Sequence, residues 1–357
     1  MFYKKVIRLI EYTGIIFSLL AVWLSLSAIS ASLSIGGQQA NVLLSNETVE
    51  EVTQEQLQSI ELPDINLVNN NNHGTMVFVG DIMLSRGIGE IMAKQNNWLY
   101  PFKHVREYLQ KADLVFGNLE GPISGRGQNQ GSIYSFNADP YAAQSLTDSN
   151  FTVLSVANNH IFDYGRNAFL DTLAVLRLSE IDAVGGGINF EDAHRPVIRD
   201  VKGTKVAFLG YTNLLPRSRG AEDSVPAISY LDEKVMKRDI EIAKTLADIV
   251  VVSLHWGDEY ETKHNDFQER VAHGAIDAGA SLIVGHHPHV VQEVEEYRGG
   301  YIAYSLGNFI FDQNFSEDTN KGLILEVTIH DKKISGIKTI GVSFNRTFQP
   351  SFMDLGY

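Results

Sequence analysis

The chain has 357 residues, 44% of them hydrophobic, which is enough for the core of one large domain or two small ones. Its 29 basic and 43 acidic residues give a net charge of −14, which argues against binding nucleic acid or docking on an anionic membrane surface. The sequence contains no cysteine. Disulfides and thiolate metal sites are therefore excluded, and any metal must be held by His, Asp, Glu or Asn.

The N-terminal segment has the pattern of a membrane-directed sequence. Lys4, Lys5 and Arg8 precede residues 12–35, which carry no charged side chain. About 20 apolar residues cross a bilayer, and basic residues in front of such a stretch place the following chain outside the cell. We therefore expect residues 1–35 to form a single-pass anchor in the cell membrane. The Ser- and Ala-rich end of the stretch leaves open a cleaved signal and a secreted protein.

The composition of residues 36–74 predicts a linker. From residue 75, apolar runs of strand length alternate with segments of helix length. The predicted strands are residues 76–79, 114–116, 153–156, 205–209, 249–254 and 282–284. The predicted helices are residues 102–111, 140–147, 168–178, 232–247 and 266–278, with Asp232 as a cap. Later strands are predicted at residues 291–294, 301–305, 323–329 and 334–344. This pattern indicates one α/β domain over residues 75–345, with a second sheet formed by the strand-rich end and a tail at residues 346–357.

Polar residues stand just after the predicted strands, where α/β folds bind their ligands. They are Asp81, Asn118, Glu120, Asn159, His160, His255 and the histidines of GHHPH at residues 285–289. Singly, each has an ordinary role in capping a turn or satisfying a loop. Because they follow different strands, together they would surround one pocket. Pro288 restricts the backbone between His287 and His289, and two such imidazoles converge on one ion where the chain curves.

This set of side chains predicts a metal centre with hydrolytic chemistry. Imidazole, carboxylate and amide ligands suit Mn, Fe or Zn, and two such ions share a carboxylate in centres that hydrolyse phosphoryl or ester bonds. His160 is placed to donate a proton to a leaving oxygen, with Asp163 to orient it. The sequence contains neither a GxSxG elbow nor a Walker loop, so it offers no support for a serine hydrolase or a nucleotide kinase.

Six motifs then occur in order along the domain. They are GDIML (80–84), GNLEGP (117–122), ANNHIFDYG (157–165), LHWGDEY (254–260), GHHPH (285–289) and YSLGNFIFDQ (304–313). The series, over about residues 75–330, resembles the CapA family of capsule and poly-γ-glutamate biosynthesis proteins, within the calcineurin-like metallophosphatase superfamily. The resemblance implies a four-layered α/β/β/α sandwich with a two-metal site.

Carried over by position, the resemblance also implies roles for individual residues. The implied metal ligands are Asp81, Glu120, Asn159, His255, His287 and His289, and the implied leaving-group acid is His160. Met83 stands where many members of the superfamily have a ligating His, and Asn118 stands where they have a bridging Asp. Glu120 is the charged residue that can replace this bridge. His286 is left to support a ligand or contact substrate, and Asn308 and Asp312 to shape the rim.

Two functions follow from this reading. The first is a membrane-anchored, outward-facing, metal-dependent hydrolase of the phosphoesterase type, acting on a phosphoester, ester or amide bond of a capsule or cell-envelope polymer. The second is a non-hydrolytic accessory subunit of a poly-γ-glutamate synthesis or export complex, with polymer synthase subunits as partners. The departures at Met83 and Asn118 favour the second function. A net charge of −14 would repel a polyanionic polymer unless metal ions or the basic loop at residues 217–219 screen it.

Overall fold

The apolar runs of the sequence become the central strands of two sheets. The computed structural model describes residues 73–215, 225–344 and 347–353. The strands of these residues are β1 (His73–Ile82), β2 (Leu114–Leu119), β3 (Phe151–Ser155), β4 (Asp182–Val184), β5 (Gly186–Gly187), β6 (Val197–Val201), β7 (Thr204–Thr212), β8 (Ala227–Ile228), β9 (Ile249–His255), β10 (Leu282–His286), β11 (Val294–Tyr297), β12 (Gly300–Ala303), β13 (Asn308–Ile310), β14 (Lys321–His330), β15 (Lys333–Phe344) and β16 (Pro350–Phe352).

The helices lie mainly between these strands. Those of the described residues are α1 (Arg86–Gln95), α2 (Arg106–Leu109), α3 (Ala142–Asp148), α4 (Gly165–Leu178), α5 (Phe190–His194), α6 (Glu233–Leu246) and α7 (Asp266–Ala278), with 3₁₀ turns at Tyr100–Phe102 and Asp318–Asn320. The predicted cap of α6 is confirmed, because the Asp232 side chain accepts hydrogen bonds from the Lys234 and Val235 amides.

Each sheet combines a parallel centre with antiparallel additions. The first sheet has the order β16-β15-β14-β1-β2-β3-β4, and β13 also pairs with β1. Its strands β1 to β4 are parallel, whereas β14 to β16 continue it in antiparallel pairs. The second sheet has the order β11-β12-β10-β9-β7-β6, with β7, β9, β10 and β12 parallel. The parallel strands of each sheet therefore end at a common edge.

The two sheets pack face to face, with helices on both outer sides. Phe78 and Phe116 of the first sheet meet Phe208 of the second in the buried layer between them, where the Phe116 and Phe208 rings stack at 5.7 Å. Successive residues of a strand point to opposite faces, so Val77 and Val115 face outward, in the buried cluster that includes residues of α3 and α4. Helices α6 and α7 cover the outer face of the second sheet. The predicted α/β class is confirmed.

Some predicted elements were wrong in detail. The strand-rich end does not form the second sheet by itself, because β14 to β16 extend the first sheet while β11 and β12 join the second. Leu325, Val327 and Ile329 of β14 face the buried layer between the sheets, which fixes β14 beside β1. The single helix predicted at residues 102–111 is a 3₁₀ turn followed by α2, and α1 was not predicted because its two glycines weaken the helical signal.

The predicted segment boundaries fall partly outside the described residues. The predicted anchor at residues 1–35 and the basic loop at residues 217–219 lie outside them. Within the described residues, none of the helices is both long enough and apolar enough to cross a bilayer. Strand β1 begins at His73, two residues before the predicted start of the domain, and β16 lies within the predicted tail.

Candidate metal centre

The ends of four parallel strands place the polar residues of the centre at one edge. Asp81 of β1 is paired with Asn118 of β2, and His255 of β9 is paired with His286 of β10. The two pairs come from different sheets, yet His286 Nδ1 lies 3.4 Å from Asp81 Oδ1. The strand ends of both sheets therefore meet at one buried point.

Two glycines allow the backbone to come close beside these residues. A Cβ atom on Gly80, next to Asp81, would lie 1.9 Å from the carbonyl oxygen of Gly307. A Cβ atom on Gly285, before the histidine cluster, would lie 1.8 Å from the carbonyl oxygen of Tyr304. Any larger residue would push these strand ends apart, so the glycines of GDIML and GHHPH shape the centre through the backbone.

The GHHPH segment curves sharply enough to bring its histidines together. His287 has a φ of 98° and His289 a φ of 58°, both in the left-handed region that non-glycine residues seldom adopt. The two rings lie 5.8 Å apart between centroids, and the His287 amide donates a hydrogen bond to Asp81 Oδ2 at 3.2 Å. Strained backbone of this kind persists where the surroundings hold it, and it is concentrated at functional sites.

Asp81, Glu120 and His289 form the most buried group of potential ligands. One ligand atom from each lies within 4.8 Å of the other two, and all three residues are buried. His289 Nδ1 is 3.4 Å from Asp81 Oδ2 and its Nε2 is 3.5 Å from Glu120 Oε1. The Nδ1 atom also lies 3.0 Å from Asn308 Oδ1, so Asn308 helps to hold the ring rather than only shaping the rim.

A second group includes a residue that the sequence analysis missed. Glu259, His287 and His289 also bring ligand atoms within 4.8 Å of one another, and Glu259 is exposed. The Tyr260 amide donates to the Pro288 carbonyl at 2.8 Å, which fastens the Glu259 loop to the histidine turn. The available signal was an acidic residue four positions after His255 in the same strand-end motif.

His255 and Asn159 are also brought together, beside the first group. His255 Nε2 lies 2.8 Å from Asn159 Oδ1, and the His255 and His287 rings are 5.0 Å apart. Ligand atoms on one ion with bonds of about 2.1 Å are separated by about 3 Å, so this pair has the spacing of two ligands. The structure therefore gathers all six predicted ligands at one edge of the sheets.

Asn118 connects the two sides of the centre through its amide. Its Nδ2 donates to Asp81 Oδ1 at 2.8 Å and faces His255 Nδ1 at 3.3 Å, while its Oδ1 accepts from Asn158 Nδ2 at 3.1 Å. An amide nitrogen is a donor and does not ligate a cation. In this arrangement Asn118 orients its neighbours and does not bridge two ions.

His160 and Asp163 form the predicted pair at the mouth of the centre. His160 Nδ1 lies 2.7 Å from Asp163 Oδ2, and the same oxygen accepts the Phe136 amide at 2.9 Å. The other ring nitrogen, Nε2, is 3.9 Å from Glu120 Oε1. The carboxylate thus holds the proton on Nδ1 and leaves Nε2 facing the centre.

Burial and neighbouring charges divide the histidines into two kinds. Burial lowers the pKa of His255 well below its ordinary value, and burial together with the charge of His289 lowers the pKa of His287 to about 3. Both rings are therefore neutral and able to ligate. Burial also acts on His289, but Glu120 and Asp81 outweigh it and raise its pKa to about 9, so His289 would release a proton on binding an ion. Burial opposes ionisation of Asp81, yet His286 and His289 hold its pKa well below the usual range.

Several buried polar atoms in this centre have no hydrogen-bond partner among the described residues. They are Glu120 Oε1, His287 Nδ1 and both ring nitrogens of His286. Leaving such a group unpaired costs about 1–3 kcal/mol, so buried polar atoms are usually paired. Unpaired carboxylate and imidazole atoms around Asp81 are what a divalent cation would satisfy. The residues present therefore fit a metal centre.

Comparison with known proteins places this chain in a family. Residues 75–313 match the family model described as "Bacterial capsule synthesis protein PGA_cap". The capsule biosynthesis protein CapA of Bacillus anthracis is 38% identical over 262 residues, covering 71% of this chain and 64% of that protein. The PGA biosynthesis protein CapA of Bacillus subtilis (strain 168) is 37% identical over 250 residues, covering 69% of this chain and 66% of that protein. The chain thus spans just under two thirds of the length of these relatives.

Among solved structures, the Haemophilus influenzae NAD nucleotidase NadN aligns with a TM-score of 0.46 at 14% identity, over 79% of this chain and 60% of that chain. That likeness is too weak to say anything about the site. The family match is different, since it covers all six motifs completely and ends at Gln313, the last residue of the sixth. The predicted resemblance is confirmed, and the chain belongs to the bacterial capsule synthesis protein family, PGA_cap, together with the CapA proteins.

Proposed function

We propose that this protein is a membrane-anchored, outward-facing, metal-dependent hydrolase that acts in capsule or poly-γ-glutamate biosynthesis. The observation that carries the proposal is the buried group of Asp81, Glu120 and His289, with unpaired ligand atoms, beside a His160 oriented by Asp163. The names of the two relatives support a role in capsule or PGA biosynthesis. The substrate would be a phosphoester, ester or amide bond of a cell-envelope polymer.

The side chains present define where divalent ions, Mn, Fe or Zn, would be held. Asp81, Glu120 and His289 would hold one ion. Ligands for a second would come from His287, with Glu259 on one side or with His255 and Asn159 on the other. When bound, such ions polarise the scissile bond and make a water molecule more acidic.

The chain's own residues supply proton transfer and orientation. Because Asp163 fixes the Nδ1 proton of His160, Nε2 is the atom that can hold a proton for the leaving group. The Phe136 ring lies 4.1 Å from the His160 ring between centroids and shields one face of it from water. Asn118 holds Asp81 and His255 in place by hydrogen bonds.

The activity is tested with the full chain, Mn²⁺ and bis(p-nitrophenyl) phosphate. We expect metal-dependent turnover in the parent protein and its loss in His287→Ala, because His287 faces both possible groups of ligands. His104→Ala is the matched control, since it removes an exposed imidazole outside the centre. Equal activity of His287→Ala and the parent protein would overturn the assignment of the centre.

A second function has one specific observation in its favour. Where the superfamily has a bridging carboxylate, Asn118 presents an amide nitrogen to Asp81 and His255. A centre without that bridge is suited to a single ion and to a non-hydrolytic accessory subunit of a polymer synthesis complex. This function predicts one ion per chain, no turnover of phosphate, ester or amide substrates, and recovery with synthase subunits from membranes.

A further inference from the structure

A small cavity opens directly beside the metal centre. Its volume is about 250 Å³, below the roughly 300–1,000 Å³ of pockets that hold drug-sized ligands, so it has room for one small group. His160 and His289 of the centre, together with Glu259, form part of its wall. The only Lys or Arg among its described lining residues is Arg86, at the start of α1.

Arg86 is held in place from two directions. Its Nε lies 3.3 Å from Asp312 Oδ2, and the same oxygen accepts the Gly87 amide at 3.3 Å. The Asp312 side chain is only 7% exposed, so it is a fixed anchor. The guanidinium carbon also lies 5.7 Å from the centre of the Tyr134 ring and 5.5 Å from that of Phe136, in cation–π contact with both.

The terminal nitrogens of Arg86 remain available to a ligand. A guanidinium has five N–H donors, and the Nε donor is the one that faces Asp312. The structure shows no hydrogen bond from the two terminal nitrogens to any described residue, and the side chain is 37% exposed. A planar fork in this state binds the paired oxygens of a carboxylate or a phosphate.

Arg86 lies near the proposed reacting groups but is not one of them. Phe136 contacts Arg86 through one side of its ring and lies 4.1 Å from the His160 ring. An anion on Arg86 would therefore sit about one ring width from the proton donor of the proposed function. That spacing suits a neighbouring charged group of the substrate and not the bond that is broken.

We propose that Arg86 binds a carboxylate of the substrate polymer next to the bond on which the centre acts, and that Asp312 positions Arg86 for this contact. The choice of a carboxylate over a phosphate rests on the proposed function, since a poly-γ-glutamate chain carries one carboxylate per residue. The net charge of −14 would repel such a polymer from the rest of the surface. An arginine beside the metal centre would attract its carboxylates locally.

The test measures binding by calorimetry with the Mn²⁺-loaded full chain and three probes. They are tri-γ-glutamate, the same peptide with its carboxylates converted to primary amides, and phenyl phosphate. The variants are Arg86→Gln, Arg86→Lys and Asp312→Asn, with Arg126→Gln as a control that removes an arginine paired only at the surface with Asp171. Mass spectrometry of the recovered peptide reports turnover separately from binding.

We expect Arg86→Gln to weaken tri-γ-glutamate binding by about tenfold or more, because a charge-assisted pair of hydrogen bonds is lost. Arg86→Lys should lie in between, and Asp312→Asn should weaken the same probe by about threefold. Binding of the amide peptide and of phenyl phosphate should change by less than about twofold in every variant, because the amide peptide has no anion for Arg86 and the phosphate of the other probe would be held by the ions of the metal centre. Arg126→Gln should match the parent protein.

Three results would overturn the proposal. The first is no binding of tri-γ-glutamate to the parent protein, and the second is that Arg86→Gln binds this peptide as tightly as the parent protein does. The third is that Arg86→Gln weakens phenyl phosphate binding as much as peptide binding, which would assign Arg86 to phosphate. Arg86-dependent binding with an intact peptide and no turnover of any substrate would remove the hydrolase function and leave the role of Arg86 standing. Turnover of a substrate, together with peptide binding that does not depend on Arg86, would remove the role of Arg86 and leave the hydrolase function standing.

Discussion

Two buried histidine–carboxylate clusters of the described residues differ in how their charges are balanced. At the metal centre, Asp81 and Glu120 lie among histidines, and no Lys or Arg of the described residues pairs with either carboxylate. In the other cluster, Asp239 of α6 accepts hydrogen bonds from Tyr211 at 3.1 Å and from Arg238 at 3.0 Å, and lies 2.8 Å from His194 Nδ1.

The difference shows why a buried His–Asp pair alone does not indicate a functional site. Asp239 has partners on both oxygens and a cation beside it, so the cluster can be explained as packing of α5 and β7 against α6. At the metal centre two carboxylates share too few donors, and Glu120 Oε1 is left unpaired. Two buried carboxylates without a Lys or Arg partner, and unpaired ligand atoms, are the features that indicate a cation site.

The largest expected effect is on turnover, and it concerns His160, which is paired with Asp163 and faces the metal centre. His160→Ala should lower kcat by about 10²–10⁴-fold, because a positioned general acid contributes about that much. Its metal content should stay at the level of the parent protein, since Asp163 and not an ion holds the ring. Steady-state kinetics with metal analysis checks both, and a parallel loss of metal would instead make His160 a ligand.

The next effect is on metal affinity. Asp81→Ala should weaken Mn²⁺ binding by more than about 100-fold, since loss of a residue that only supports a ligand already costs about 10–100-fold. Asp239→Ala, the matched change in the other cluster, should bind Mn²⁺ as the parent protein does. Calorimetric titration of chelator-treated protein provides the comparison. Equal losses in the two variants would mean that the clusters are not functionally different.

The free energy of unfolding, unlike the affinity for Mn²⁺, should depend on Asp239. Asp239→Ala should lower the free energy of unfolding by about 3 kcal/mol, because it leaves the buried His194 and Tyr211 without their partner. Chemical unfolding of the metal-free protein measures this change. Glu317→Ala, which removes an exposed partner of Lys321, should be indistinguishable from the parent protein. A neutral Asp239→Ala would contradict the packing role of this cluster.

The smallest expected effect is on the stability of the metal-free protein, and it tests most directly whether the carboxylates of the metal centre lack partners. Burial raises the pKa of Glu120, and Asp81 adds to the strain of placing a carboxylate there. Glu120→Gln should therefore stabilise the metal-free protein by about 1 kcal/mol while it weakens metal binding. Thermal unfolding with and without Mn²⁺ separates the two effects. Loss of stability in the metal-free variant would show that Glu120 is a structural residue.

Much of the fold and the centre could be predicted because strand ends carry a local signal. Buried parallel strands appear as apolar runs, and Asp81, Asn118, His255 and His286 each lie at or near the end of one. The curvature at GHHPH was expected from the need for two imidazoles to converge, and the left-handed backbone at His287 supplies it.

The remaining features depend on contacts between distant segments, which no local pattern contains. Arg86 and Asp312 meet across 226 positions because β13 inserts beside β1, pairing Asn308 with Asp81. Glu259 reaches the centre through a loop fastened to Pro288. The strand-rich end was predicted to form a second sheet by itself, whereas its strands divide between the two sheets, because an alternating pattern does not specify which sheet a strand joins.

The most direct test of the metal centre is an anomalous-scattering crystal structure of the Mn²⁺-loaded full chain. We predict a peak at about 2.0–2.3 Å from ligand atoms of Asp81, Glu120 and His289, with any second peak beside His287. A peak at the His194–Asp239 cluster instead, or no peak among these side chains in a metal-saturated crystal, would contradict the central claim.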